Sequence, residues 1–282
     1  MNITRLDHVV ILAPDIAEAT ATYSTLLGRD MDWQHVNSAD GTATTLFVMD
    51  NTSVELLAPH GSGPVGDRIR ELLDCKQGLL SSLAFQVPDI DDAHYTAMRR
   101  GMGPGPVSKM QADYLGHSRT WSRFRGDDAA MGGMKVFMTQ EHQDVLHSRT
   151  SDDSAVFRLD HLVVNTGNPE RAMATYGAKL GLRLALDRTN EDWGSRFLFF
   201  RLPDLTFEVV QRLKGGPAAD EADSLWGLTW QVADLDLAHE RLSRNGVEVS
   251  EVRKGRKPGT RVMSIKSHDL GVPTLFLESE HP

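Results

Sequence analysis

Leu6-Asp7-His8-Val9-Val10-Ile11 returns, slightly altered, as Leu159-Asp160-His161-Leu162-Val163-Val164, with His161 standing 153 positions after His8. The same offset carries Ala19 to Ala172, Tyr23 to Tyr176, Leu27-Gly28 to Leu180-Gly181, Phe47 to Phe200 and Glu55 to Glu208. A match at one fixed offset, without a gap, marks an internal duplication, which constrains the fold before any single motif does. In both copies the carboxylate follows the histidine by 47 residues.

Around the first copy the local signals are regular. Residues 6–13 alternate and then run apolar with many β-branched side chains, which predicts a strand. Pro14-Asp15 ends it, and Asp15 with Glu18 has the spacing of a helix N-terminal cap. Ile16, Ala19, Tyr23 and Leu26-Leu27 recur at helical spacing, and Gly28 sits where a left-handed turn closes a helix. Strands are expected at about 30–37, 43–49 and 53–57, with turns at Gly41 and Asn51. A second unit starts near Ser82: a strand through Val87, a helix from Ala93 to Arg100, a break over Gly103-Pro104-Gly105-Pro106, and strands at 117–125 and 134–139. Residues 157–212 repeat the first unit. The rest repeats the second at an offset of 145, with Asp234, His239 and Gly246 answering Asp89, His94 and Gly101. Its strands are expected near 226–232, 247–253, 260–266 and 273–278. The chain thus reads as four βαβββ modules, an α+β fold, with 1–142 as one domain, 143–156 as a polar linker and 157–282 as the second domain.

The balance of 40% hydrophobic and 24% charged residues over 282 positions is that of a soluble globular protein of about two domains. A net charge of −9 disfavours phosphate backbones, so no nucleic acid is expected as a partner. No apolar run reaches the roughly 18 residues of a membrane span. The N-terminus enters a strand pattern at once, so no signal peptide is expected, and the location is read as cytoplasmic. Cys75 is the single cysteine, which excludes an intrachain disulfide and a cysteine-based zinc site and suggests a small apolar filler.

Four βαβββ modules opening with Leu-Asp-His-Val-Val or a relative of it resemble the vicinal oxygen chelate superfamily, which includes glyoxalase I, methylmalonyl-CoA epimerase, the type I extradiol dioxygenases and the bleomycin resistance proteins. The best-matched pieces are Leu6 to Gly28, Val54-Glu55-Leu56-Leu57-Ala58-Pro59 and Leu159 to Gly181. The resemblance implies two glyoxalase-like domains with curved, cup-shaped mixed sheets. It also implies a metal held by side chains on the first and last strand of each module, a metabolite-sized substrate, and lyase or isomerase chemistry, with extradiol ring cleavage or metal-free ligand binding as alternatives. A divalent ion such as Fe, Mn, Zn, Ni or Co would chelate two substrate oxygens and stabilise an enolate-like intermediate. A homodimer is left open.

On that pattern the first-strand positions hold His8, Ser82, His161 and Gly227, and the last-strand positions hold Glu55, Phe137, Glu208 and Phe276. His8, Glu55, His161 and Glu208 are the candidate metal ligands, as two separate pairs or as one four-ligand centre. Glu55 and Glu208 are also candidate bases. His117, with His268 as its counterpart, is the candidate to complete a site. The iron triad of an extradiol dioxygenase is broken at Gly227 and Phe276. Arg119, Trp121 and Arg123 alternate with His117 on one strand face. Ser82, Arg119, Trp121 and Phe137 are therefore the candidate substrate-binding residues. For His8 and His161 the alternative is a hydrogen-bonded histidine on a half-buried strand, and Asp7 and Asp160 are expected to point to the opposite face and to be structural. His94 and His239 are expected to lie exposed on helices.

Overall fold

The computed structural model describes residues 1–142 and 150–280, so the first half of the expected linker, 143–149, lies outside the described residues. The first module contains β1 (Arg5–Leu12), α1 (Ile16–Leu27), β2 (Trp33–Asn37), β3 (Thr42–Val48) and β4 (Ser53–Pro59), followed by α2 (Pro64–Leu73). The second contains β5 (Leu79–Gln86), α3 (Ile90–Arg99), β6 (Ser108–Tyr114), β7 (His117–Arg125) and β8 (Lys135–Glu141). The third contains β9 (Val156–Asn165), α4 (Pro169–Ala172) running on as a π-helical turn over Met173–Lys179, β10 (Arg183–Asn190), β11 (Ser195–Arg201) and β12 (Thr206–Arg212). The fourth contains β13 (Ser224–Val232), α5 (Leu235–Arg244), β14 (Arg253–Lys254), β15 (Thr260–Ser264) and β16 (Thr274–Ser279).

These form two mixed eight-stranded sheets with the same plan, β2-β3-β4-β1-β5-β8-β7-β6 and β10-β11-β12-β9-β13-β16-β15-β14. In each, the opening strands of two modules are neighbours at the centre, as the expected α+β fold of glyoxalase-like domains requires. Among the described residues no helix is long and apolar enough to cross a membrane. By contact density the chain divides into two compact units. One holds the described residues of Met1–Val9, Ser82–Val145 and His161–Trp226, and the other those of Val10–Ser81, Leu146–Asp160 and Gly227–Pro282.

Local rules account for most elements. Asp15 caps α1 by accepting the Glu18 N–H at 2.8 Å, and Gly28, at φ 71°, closes the helix. Ala19, Tyr23, Leu26 and Leu27 form its buried stripe. Three expectations need correction. The strand β6 has no counterpart among the expected strands, because Ser108–Tyr114 is polar and mostly exposed and pairs only as one arm of a hairpin with β7. The expected strand 247–253 is reduced to a lone bridge from Val249 to Ile265 and the short strand Arg253–Lys254, with the Ser250 hydroxyl, not a backbone carbonyl, accepting the Ser264 N–H at 2.9 Å between them. Cys75 is exposed rather than core, in the left-handed turn (φ 66°) that ends α2.

Each compact unit carries an arginine at the C-terminal end of a helix. The carbonyls of a last helical turn have no partner within the helix. In one unit Arg241 of α5 donates from Nη1 to the Thr25 carbonyl at 2.6 Å and from Nη2 to the Leu26 carbonyl at 3.2 Å. Its remaining N–H groups reach the Ser154 hydroxyl and carbonyl at 3.1 Å. A Cβ on Gly28 would stand 2.7 Å from Arg241 Cζ, so the glycine serves both the turn and the approach. In the other unit Arg100, which follows α3, donates to the Lys179 carbonyl at 3.1 Å beside Gly181. Burial pulls the Arg241 pKa down, and the nearby Asp152 opposes that effect.

The two copies differ at one buried hydroxyl. Tyr176 donates to Asp223 Oδ2 at 2.8 Å, in a cluster where Thr166 and Arg171 also reach Asp223. Burial and the Asp223 charge push the Tyr176 phenol well above its usual range. Its counterpart Tyr23 is fully buried and its hydroxyl has no partner among the described residues. A buried hydroxyl without a bond costs stability, and deleting one partner of a bonded pair leaves the other unsatisfied. Tyr23→Phe is therefore expected to be neutral or stabilising, and Tyr176→Phe to cost roughly 1–3 kcal/mol in urea unfolding. Arg241→Met, which orphans four acceptors at once, is expected to cost about 2–4 kcal/mol by the same measurement.

Candidate functional site

The third module brings its own pair together. β9 and β12 run parallel with Thr206 beside His161 and Glu208 beside Val163, which sets both side chains on one face. His161 Nε2 lies 3.7 Å from Glu208 Oε2, and their side chains are 22% and 16% exposed. In the first module Glu55 stands on β4 opposite Leu46 of β3, half-buried, and β4 is the neighbour of β1.

His8 is held by a group that alternation assigned to the far face. Its Nδ1 lies 2.7 Å from Asp7 Oδ1. Burial would raise the Asp7 pKa. The His8 hydrogen bond and the charges of His8, Arg5 and Arg119 outweigh it and hold the carboxyl below its ordinary range. An ionised carboxylate only accepts, so His8 donates from Nδ1 to Asp7 Oδ1. Asp7 thus orients the His8 ring. Asp160, its repeat, instead accepts from Gln231 Nε2 at 2.5 Å. Neighbouring strand residues leave the backbone on opposite faces, and only their rotamers decide whether they touch, so sequence carried no signal for this difference.

The second module supplies a cationic and aromatic face. The register sets Arg125 opposite Phe137, Arg123 opposite Thr139 and Trp121 opposite Glu141, all on one side. Ala84 of β5 lies beside Phe137, and Ser82 beside Lys135, on the same side. Arg119 donates to Glu141 Oε1 at 2.5 Å and lies 5.7 Å from the Trp121 ring. Arg123 and Arg125 lie 5.4 and 5.8 Å from the Phe137 ring, and Arg125 is paired with Asp128. Glu141 is not among the sequence-based candidates. A carboxylate directly across from Trp121 becomes visible only when the strand register is known. His117, at the hairpin end of β7, is exposed. His268, its proposed counterpart, is exposed at φ 61° with Ser267 Oγ 2.9 Å from its Nδ1. His94 is half-buried, not exposed, with its ring edge-on to Phe124 and its Nε2 2.9 Å from the Gly105 carbonyl.

One position moves. Trp230 of β13 pairs with Phe276, and both are fully buried. In the second module the residues in that register are Phe85 and Met138. Phe276 therefore answers Met138 on the packed face, and Leu275 is the counterpart of Phe137. The caps agree: Gln140 Oε1 accepts the Ile90 N–H of α3, and Glu278 Oε2 accepts the Leu235 N–H of α5.

A divalent metal held by the protein needs three or four donors. Among the described residues no three His, Cys, Asp or Glu side chains gather around one point. The four-ligand centre of His8, Glu55, His161 and Glu208 is thus not formed. The remaining first- and last-strand positions cannot complete either pair. Ser82 is buried beside a lysine, Phe137 and Leu275 carry no donor, and a Cβ on Gly227 would stand 2.5 Å from the Pro273 carbonyl. The residues present do not fit a metal with three protein ligands.

Two family models match this chain: a glyoxalase-like domain over residues 6–155, and the glyoxalase/bleomycin resistance protein/dioxygenase superfamily over 160–263. Among curated proteins, the chain is 30% identical over 100 residues to the mitochondrial methylmalonyl-CoA epimerase of Dictyostelium discoideum, covering 35% of this chain and 58% of that one. It is 36% identical over 89 residues to the ethylmalonyl-CoA/methylmalonyl-CoA epimerase of Cereibacter sphaeroides, covering 31% and 64%. The chain thus spans about three-fifths of these relatives. Among solved structures, a triple mutant of 4-hydroxymandelate synthase from Streptomyces coelicolor superposes with a TM-score of 0.68 at 13% identity, over 99% of this chain and 94% of that one. At that identity the likeness concerns the fold alone.

The lowered Asp7 pKa sets a pH dependence. A carboxyl whose folded pKa is below its unfolded value stabilises above the unfolded value and loses that contribution as pH falls through the folded one. Asp7→Asn is expected to cost about 1–3 kcal/mol at pH 7 in urea unfolding, with the gap from the parent closing below about pH 4.

Proposed function

The chain belongs to the glyoxalase/bleomycin resistance protein/dioxygenase superfamily, and we propose that it is an enzyme of the isomerase or lyase kind acting on a small oxygenated metabolite. The observation that carries this reading is the Asp7–His8 pair at 2.7 Å, one-fifth exposed at the histidine, in the same compact unit as the Arg119 to Phe137 face. A histidine whose Nδ1 proton is held by a carboxylate offers Nε2 as a general base. Arg119, one residue of the cationic face, is among the charges that lower the Asp7 pKa. The reaction that uses both is removal of a proton from a carbon next to a carbonyl. The electron pair moves onto the carbonyl oxygen, the arginine field stabilises that oxyanion, and protonation completes an isomerisation.

Members of this superfamily commonly use divalent metals, and such an ion polarises a carbonyl when bound. Since the donors here do not fit one, no step is assigned to it. The two halves, 1–142 and 157–282, are taken as the functional domains, with the His161–Glu208 pair as the second half's own polar centre. The epimerase relatives make carboxylated acyl thioesters the first substrates to try. The second reading, a non-catalytic binder, is favoured by Ser82, Gly227 and Phe137, which leave ligand positions empty or apolar. The ring-cleaving reading lacks its donor at Gly227.

The test is exchange of the α-proton of 2-alkyl carboxyacyl thioesters and 2-oxo acids in deuterated water, followed by NMR. Exchange is expected with at least one compound, slowed about 100-fold or more by His8→Gln and less by Asp7→Asn. Exchange that His8→Gln leaves unchanged removes His8 from the chemistry. Tight binding without exchange favours the binder.

A further inference from the structure

We infer that Arg123, seated on the ring of Phe137, is the anion-binding group of the first half, taking the carboxylate of a small organic acid whose apolar part lies along Trp121 and Phe137. This deepens the proposed proton-transfer function and rests on that reading only for the chemical step after binding. Three arginines share the face. Arg119 is engaged by Glu141 and Arg125 by Asp128. Among the described residues, Arg123 has an aromatic ring 5.4 Å from its Cζ and no carboxylate partner. It is half-buried, and so are Trp121 and Phe137. A guanidinium placed over a ring gives up part of its hydration there and keeps its planar fork of donors for a carboxylate. The Phe137 ring is a platform for two cations, Arg123 and Arg125. A neutral ligand would gain only the aromatic contact, so the site should select for charge.

The experiment is a fluorine NMR titration of the whole chain, in the presence of a chelator, with 4-fluorophenylacetate and its neutral amide. The acid is expected to bind about tenfold or more tightly than the amide. Arg123→Gln should bring the acid down to the amide's affinity, and Phe137→Leu should weaken both. Arg68→Gln, on exposed α2, should change neither. Circular dichroism confirms that each variant is folded. Equal affinity for acid and amide overturns the assignment. So does no measurable binding of the acid, or acid binding that survives in Arg123→Gln. So does acid binding that appears only when a divalent metal replaces the chelator. Failure of the proton-transfer reading would show instead as absent exchange with acid binding intact.

Discussion

A guanidinium at the exposed end of a helix is the feature on which either compact unit closes. The last carbonyls of α1 point out of the helix with no donor of their own, and Arg241 supplies several from one side chain. Burying those carbonyls without it would leave polar atoms unsatisfied, at about 1–3 kcal/mol for each. The same solution appears at Lys179 through Arg100, yet the two arginines are not counterparts in the repeat, since the residue answering Arg241 is Thr96. The two units thus meet the same geometric need from different positions of the repeat.

Strand parity then decides what chemistry the frame presents. In each sheet the opening strands of two modules meet at the centre, and every second side chain faces one way. That rule places Arg119, Trp121, Arg123 and Arg125 together, and it joins His161 to Glu208 across β9 and β12. It also shows how finely the site depends on register. A shift of one residue exchanges Leu275 for Phe276, and so a half-buried position for a buried one. The modules differ at several of these positions. Tyr23 and Tyr176 occupy the same place in their helices, yet only one has a carboxylate to bond. Asp7 and Asp160 begin the same motif, yet one grips a histidine and the other a glutamine.

Local pattern was enough for the repeat, the four modules, the capped helices and the alternating face of β7. Each follows from short-range regularities: periodicity of two or 3.6, a cap three residues from its partner, a glycine at a helix end. Which residues touch was settled elsewhere, by the packing of distant segments. The contact of Asp7 with His8 is a rotamer choice that alternation argues against. Glu141 reaches Arg119 only because two strands pair in one register. Cys75 turned out exposed because the turn after α2 carries it outward. Phe276 left the candidate site, and no three donors met among the described residues, because those outcomes depend on strand register and on backbone approach. Pro273 against Gly227 is the plainest case: the missing side chain is excluded by a carbonyl 46 residues further along the chain, a distance over which local sequence rules have no reach.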